Sequence, residues 1–182
     1  FPWTGLRQFH GADVVIVDAP GAHAGATADG AIAVVPGAPV AVVTADCAPV
    51  VFVDDGGASV AVAHAGWRGL VDGVLDATVT AMRERGSGTI RAALGPCIHA
   101  ECYEFSEADL HTVVGRFGET VRGATSKATP ALDMVAAVRA ALDEVDVALV
   151  DVVDACTSCT PGYWSHRARN DEQRQATVAW LP

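Results

Sequence analysis

Residues 40–69 read VAVVTADCAPVVFVDDGGASVAVAHAGWRG, and both the fold and the chemistry turn on this stretch. Three runs rich in Val and Ala, 40–46, 50–55 and 59–65, alternate with turn residues such as Asp54-Asp55-Gly56-Gly57. β-Branched runs bounded by Gly, Asp and Pro read as strands. Cys47 follows the first run, and His64 closes the third just before Gly-Trp-Arg. A thiol acting as a small hydrophobe belongs inside an apolar run, so a Cys and a His at strand ends call for a chemical reason.

Outward from this stretch, 14–18 (VVIVD) and 31–35 (AIAVV) read as two further strands before it. After it, 69–85 places Leu70, Val71, Val74, Leu75, Thr78 and Met82 at helical spacing and stops at Gly86. A strand follows over 89–95. Ser106 can cap a helix over 107–117, and Pro130 can open one over 130–145. Residues 123–130 (GATSKATP) read as a surface loop, 147–154 as a last strand, and the remainder as a polar tail. Strands packed with helices, without repeat or linker, predict an α/β (or α+β) arrangement in a single domain over 1–182. The chain opens without an initiator Met and close to a motif, so an amino-terminal segment is expected to be missing.

Composition narrows the function. Of 182 residues, 51% are hydrophobic and 19% charged, which suits a well-buried core rather than a disordered chain. The net charge of −10, with no Lys or Arg run, argues against nucleic acid. Pro36, Pro39, Asp46 and Pro49 interrupt the longest apolar stretch, so no membrane span is expected. The opening residues do not resemble a secretory signal, and the expected location is cytoplasmic. Five cysteines, an odd number in a chain of this size, read as reduced thiols. Cys156-Thr157-Ser158-Cys159 has redox spacing but follows a strand instead of opening a helix, and Cys97, His99 and Cys102 form a weak second metal motif.

Thiolate and neutral imidazole are the favoured zinc ligands, and a catalytic zinc has three protein ligands and an open fourth position. Cys47 and His64 supply two. His10, in RQFHG just before a strand, is the best third ligand, whereas His23 lies in a Gly/Ala loop and His111 on a helix. The same residues also read as a Cys47 nucleophile with His64 as its base, in the manner of a cysteine hydrolase, and spacing alone does not choose. Arg68, beside this group, is a candidate phosphate contact. Asp46 can orient a His, accept a proton or cap a strand end, and Asp29 in ATADG is equally open.

The motifs RQFHG (7–11), TADCAPVVF (44–52), HAGWRG (64–69), LGPCI (94–98) with YEF (103–105), and CT (156–157) with YWSHR (163–167) occur in the order of the laccase-domain, YfiH-like family, formerly called multicopper polyphenol oxidases. The resemblance spans His10 to Leu181. It implies a layered mixed-sheet α/β fold, shared with certain cysteine-hydrolase toxins, and a zinc site of His10, Cys47 and His64. It also implies purine nucleosides and phosphate as partners, through phosphorolysis of adenosine, inosine or methylthioadenosine and deamination of adenosine. There a zinc-bound hydroxide would attack C6 of adenosine, while Arg68, with Arg167 and Asp29, would contact substrate. Some members are described as peptidoglycan editing factors, which keeps an amide hydrolase built on Cys47 and His64 as an alternative, beside a non-catalytic zinc module. Copper of the multicopper kind needs many imidazoles, and six scattered histidines make it a poor expectation. Where the family carries TGR this chain reads EQR (172–174), which keeps Arg174.

Overall fold

The computed structural model describes residues 2–182. In chain order the elements are β1 Thr4–Gly5, β2 Val14–Val17, β3 Gly30–Ala33, β4 Val40–Thr44, β5 Ala48–Asp54, β6 Val60–Ala65, α1 Trp67–Asp72, α2 Val74–Glu84, β7 Ile90–Leu94, α3 Glu107–Phe117, β8 Arg122–Ala124, β9 Pro130–Leu132, α4 Met134–Glu144, β10 Ala148–Val152, α5 His166–Arg169 and β11 Gln175–Ala179. A six-stranded mixed sheet runs in the order β10-β7-β5-β6-β3-β2. Its outer pairs are parallel and its inner ones antiparallel. A smaller sheet, β1-β4-β11, covers one face, and helices cover the other.

The period-two alternation of the Val/Ala runs produces these layers. In β6, Val60 and Val62 join an apolar cluster with Val40 and Val42 of the small sheet, whereas Ala61, Ala63 and Ala65 join the helical cluster with Leu70, Val74, Leu75 and Val79. Both faces are covered, so all six β6 residues are buried. A continuous apolar run is what such a central strand requires. Small Ala side chains on the helical face leave room for α1 and α2 to lie close to the sheet.

Several sequence expectations change. The single helix over 69–85 is two: Gly73, at φ 92 in the left-handed region, ends α1 and starts α2, and α1 already begins at Trp67. Pro130 opens no helix. It lies in β9, paired with β8, so the expected loop at 123–130 is part of a hairpin. The cap of α4 is Asp133, whose carboxylate accepts the Ala136 amide at 2.9 Å. Ser106 does cap α3, accepting the Asp109 amide at 3.1 Å. The polar tail contains β11, which pairs antiparallel with β4. Its more exposed positions are Ala176 and Val178, the reverse of the pattern that signals a half-buried strand. Among the described residues no helix is long and apolar enough to cross a membrane.

Candidate active site

Strand register makes the site. In the β5–β6 pair, Ala48 is opposite Ala65 and Pro49 opposite His64, so the turn carrying Cys47 meets the end of β6. His10 arrives from the loop before β2 with φ 64, a left-handed conformation. Asp29, fully buried just before β3, holds that loop: its carboxylate accepts the amides of Phe9 at 3.1 Å, His10 at 3.0 Å and Gly11 at 2.9 Å. It also accepts the His64 Nδ1–H at 2.7 Å, leaving Nε2 as the free ring nitrogen. One carboxylate thus fixes the backbone of one histidine and the ring of another.

The donor atoms of His10, Cys47 and His64 lie within 4.8 Å of one another. Tetrahedral zinc, with bonds of about 2.0–2.1 Å to nitrogen and about 2.3 Å to sulfur, needs donors roughly 3.3–3.8 Å apart. Cys47 Sγ and His10 Nε2 are 3.7 Å apart, and the His10 and His64 rings meet edge to face with centroids 4.8 Å apart. The Cys47–His10 pair lies within the range, and two imidazoles with a thiolate are a donor set that would suit an ion of the zinc class. Two imidazoles fall short of a multicopper centre. Burial acts to raise the Cys47 thiol, but the contacts with His10 and His64 outweigh it and bring the pKa down to about 7. Burial acts to lower His64, but Asp29 and Cys47 raise it to about 9. The His64 proton favours the thiolate, and the thiolate favours that proton; a metal ion would replace it.

The three residues line a cavity of about 520 Å³, together with Gln8, Asp46, Trp67, Arg68, Tyr103, His166, Arg167 and Arg174. Arg68 stacks on Trp67, 4.2 Å from the ring centroid. Arg167 lies 4.8 Å from the Tyr103 ring centroid and donates to the Glu104 carbonyl at 2.6 Å. Burial pushes the Tyr103 hydroxyl upward, so it stays a neutral phenol. Asp46, at φ 92, accepts the Arg167 amide at 2.7 Å and the Thr157 hydroxyl at 2.8 Å. It therefore locks the Cys47 turn to the start of α5, and orients no histidine.

Of the residues expected at the site, His10, Cys47, His64, Arg68 and Arg167 come together. Asp29, expected among the substrate contacts, lines no part of the cavity and instead supports the two histidines from behind. Cys97 does not join His99 and Cys102 in a cluster: it is buried in the core, where burial pushes its thiol up to about 12. Cys102 instead meets Cys156, Cys159 and Glu101. Tyr103 and His166 are cavity residues that sequence reasoning passed over, although both lie inside quoted motifs, YEF and YWSHR.

The sequence profile of the family described as multi-copper polyphenol oxidoreductase laccase matches residues 2–182. The chain belongs to this family. The laccase-family chain is 37% identical over 179 residues to the Streptomyces coelicolor purine nucleoside phosphorylase SCO2081, covering 97% of this chain and 74% of that protein. It is 34% identical over 187 residues to the Escherichia coli purine nucleoside phosphorylase YfiH, covering 97% and 72%. Among solved structures, a Neisseria meningitidis protein superposes with a TM-score of 0.87 at 31% identity, over 99% of this laccase-family chain and 75% of that one. YlmD from Geobacillus stearothermophilus superposes with a TM-score of 0.83 at 29% identity, over 98% and 72%.

Proposed function

We propose that this chain is a zinc-dependent purine nucleoside enzyme that cleaves adenosine, inosine and methylthioadenosine by phosphorolysis and deaminates adenosine, with His10, Cys47 and His64 as the zinc ligands. The observation that carries this reading is a three-donor cluster within a cavity that three arginines also line. The names of its relatives, purine nucleoside phosphorylases at 33–37% identity, support the substrate class. The five unpaired thiols suit a reducing cytoplasm.

In phosphorolysis the C1′–N9 bond breaks, a bond from C1′ to a phosphate oxygen forms, and the purine leaves with a proton. Arg68, Arg167 and Arg174 supply the positive charge that holds a phosphate against the ribose. Trp67 and Tyr103 supply aromatic surface for the base, and His166 is a candidate proton donor to the departing purine. In deamination, water adds at C6 and ammonia leaves. A bound zinc would supply Lewis acidity, drawing the pKa of water towards about 7.

Arg68→Ala should lower phosphorolysis roughly thirtyfold, the equivalent of about 2 kcal/mol for a charge-assisted contact, raise the phosphate requirement and spare deamination. Chromatography of nucleoside, free base and inosine, with and without phosphate, reads both reactions from one sample. Equal loss of the two would make Arg68 a support for the metal site or the fold.

The lowered thiol of Cys47 beside His64 favours a second reading, a cysteine-nucleophile hydrolase. Metal analysis separates them. Loss of one zinc per chain on Cys47→Ser supports the ligand role; an active enzyme with no metal at this site, covalently labelled at Cys47, supports the nucleophile.

A further inference from the structure

A second group of metal-ligating side chains lies outside the nucleoside cavity. Glu101 and Cys102 sit on the single helical turn Ala100–Cys102, and Cys156 and Cys159 on the loop after β10. One donor atom of each lies within 4.8 Å of all the others. The two segments are laced by backbone: Cys97 and Cys156 form a parallel bridge, and the Thr157 amide donates to the Cys97 carbonyl at 3.0 Å. The His99 amide also donates to Cys156 Sγ at 3.4 Å.

Three sulfurs and a carboxylate make a full tetrahedral set. The spacing Cys156-X-X-Cys159 is that of a zinc knuckle, with Cys102 and Glu101 closing the remaining corners. All four donors come from protein, as in structural zinc sites and unlike the three-donor group of the cavity. Cys159 is exposed and Cys102 half-buried, and Cys102 opens onto a surface pocket it shares with Ser158 and Arg167, so an ion can enter from solvent.

We propose that Glu101, Cys102, Cys156 and Cys159 form a second, structural site for a thiophilic divalent ion of the zinc class. The ion staples the loop after β10 to the turn before Tyr103. That loop braces the cavity wall: the Thr157 hydroxyl bonds Asp46, and Arg169 of α5 donates to the Ser158 carbonyl at 2.8 Å.

Cobalt tests this directly, because thiolate ligation gives it a charge-transfer absorption band. The Cys47→Ser chain, reduced and stripped with a chelator, removes the only thiolate of the cavity site. Titrated anaerobically with Co²⁺, it should still develop the band, saturating at about one ion per chain. The further variants Cys102→Ser and Cys159→Ser, made in that background, should each weaken the band, and the two together should abolish it. Cys159 is exposed, so its replacement leaves the core intact, and circular dichroism of each variant checks the fold. Absence of the band in Cys47→Ser overturns the proposal. So does a band unchanged when Cys102 and Cys159 are both replaced. A native chain two hydrogen atoms lighter, with Cys102 in a disulfide to Cys156 or Cys159, also overturns it and makes the cluster a redox pair.

Discussion

Asp29 is the residue on which the arrangement of the two histidines depends. It is fully buried and accepts four hydrogen bonds, three from the His10 loop and one from His64. Burial acts to raise its pKa, but those bonds outweigh it and hold the carboxyl below the ordinary value near 3.8. Asp29→Asn keeps the size and removes the charge, and one of its amide hydrogens must face a donor. Carboxylates behind a metal-binding histidine orient the ring and raise its basicity, and losing one costs about 10–100-fold in affinity. Zinc affinity of Asp29→Asn, measured by competition with a chromophoric chelator, should fall by that factor while all three ligands remain. A pH dependence accompanies it. A carboxylate with a folded pKa below its unfolded one stabilises the fold fully above the unfolded value, and that contribution is lost as pH falls through the folded value. The melting temperature of the native chain should therefore drop below about pH 4, with a shallower drop in Asp29→Asn.

At the scale of elements, the decisive junction is the passage from β6 into α1 through Gly66. Its backbone, at φ −70 and ψ 159, is open to any residue, so the glycine is required by space alone. A Cβ there would meet His10 Cδ2 at 2.5 Å and Cys47 Sγ at 3.4 Å. Gly66→Ala should therefore push the His10 ring aside and lower zinc content, with helix content unchanged by circular dichroism; full zinc occupancy in that variant would mean that His10 is no ligand. The strands on either side of this junction were legible because period-two Val/Ala runs bounded by turn residues have one reading, and Cys47 and His64 stood out by ending those runs. His10 was legible as the histidine placed just before the strand at 14–18. The support from Asp29 was not, since an 18-to-35-residue separation between carboxylate and partners leaves no local pattern. Short elements also escaped: β9 hides behind a proline that reads as a helix start, and β11 turns Ala176 and Val178 outward. The meeting of Cys102 with Cys156 and Cys159 depends on the parallel bridge between their segments, which no spacing along the chain announces.

For the whole molecule, the layered construction separates stability from the site. Phe52 lies near the middle of β5, fully buried in the cluster between the large sheet and the helices. It is five residues from Cys47, about 16 Å along an extended strand, beyond the distance at which substitutions usually couple. Phe→Ala in a core costs about 3–5 kcal/mol, and in a chain of this length each kcal/mol moves the melting temperature by about 2–4 °C. Phe52→Ala should therefore melt about 6–20 °C lower and still bind zinc at the cavity with native stoichiometry. His10→Ala reverses the pattern. His10 is an exposed loop residue whose backbone amide, not its side chain, is held by Asp29, so its loss removes a ligand and no core contact. The metal-free forms of His10→Ala and the native chain should melt together, whereas added zinc should raise the native melting temperature further than the variant's, because ligand stabilisation grows as RT ln(1 + [L]/Kd) and the variant's Kd is larger. Calorimetry of both variants, with zinc and after chelation, reads the four combinations. A metal-free His10→Ala chain that melts far below the metal-free native chain would show that the site and the core are one structural unit, and the separation of layers argued from the strand pattern would fail.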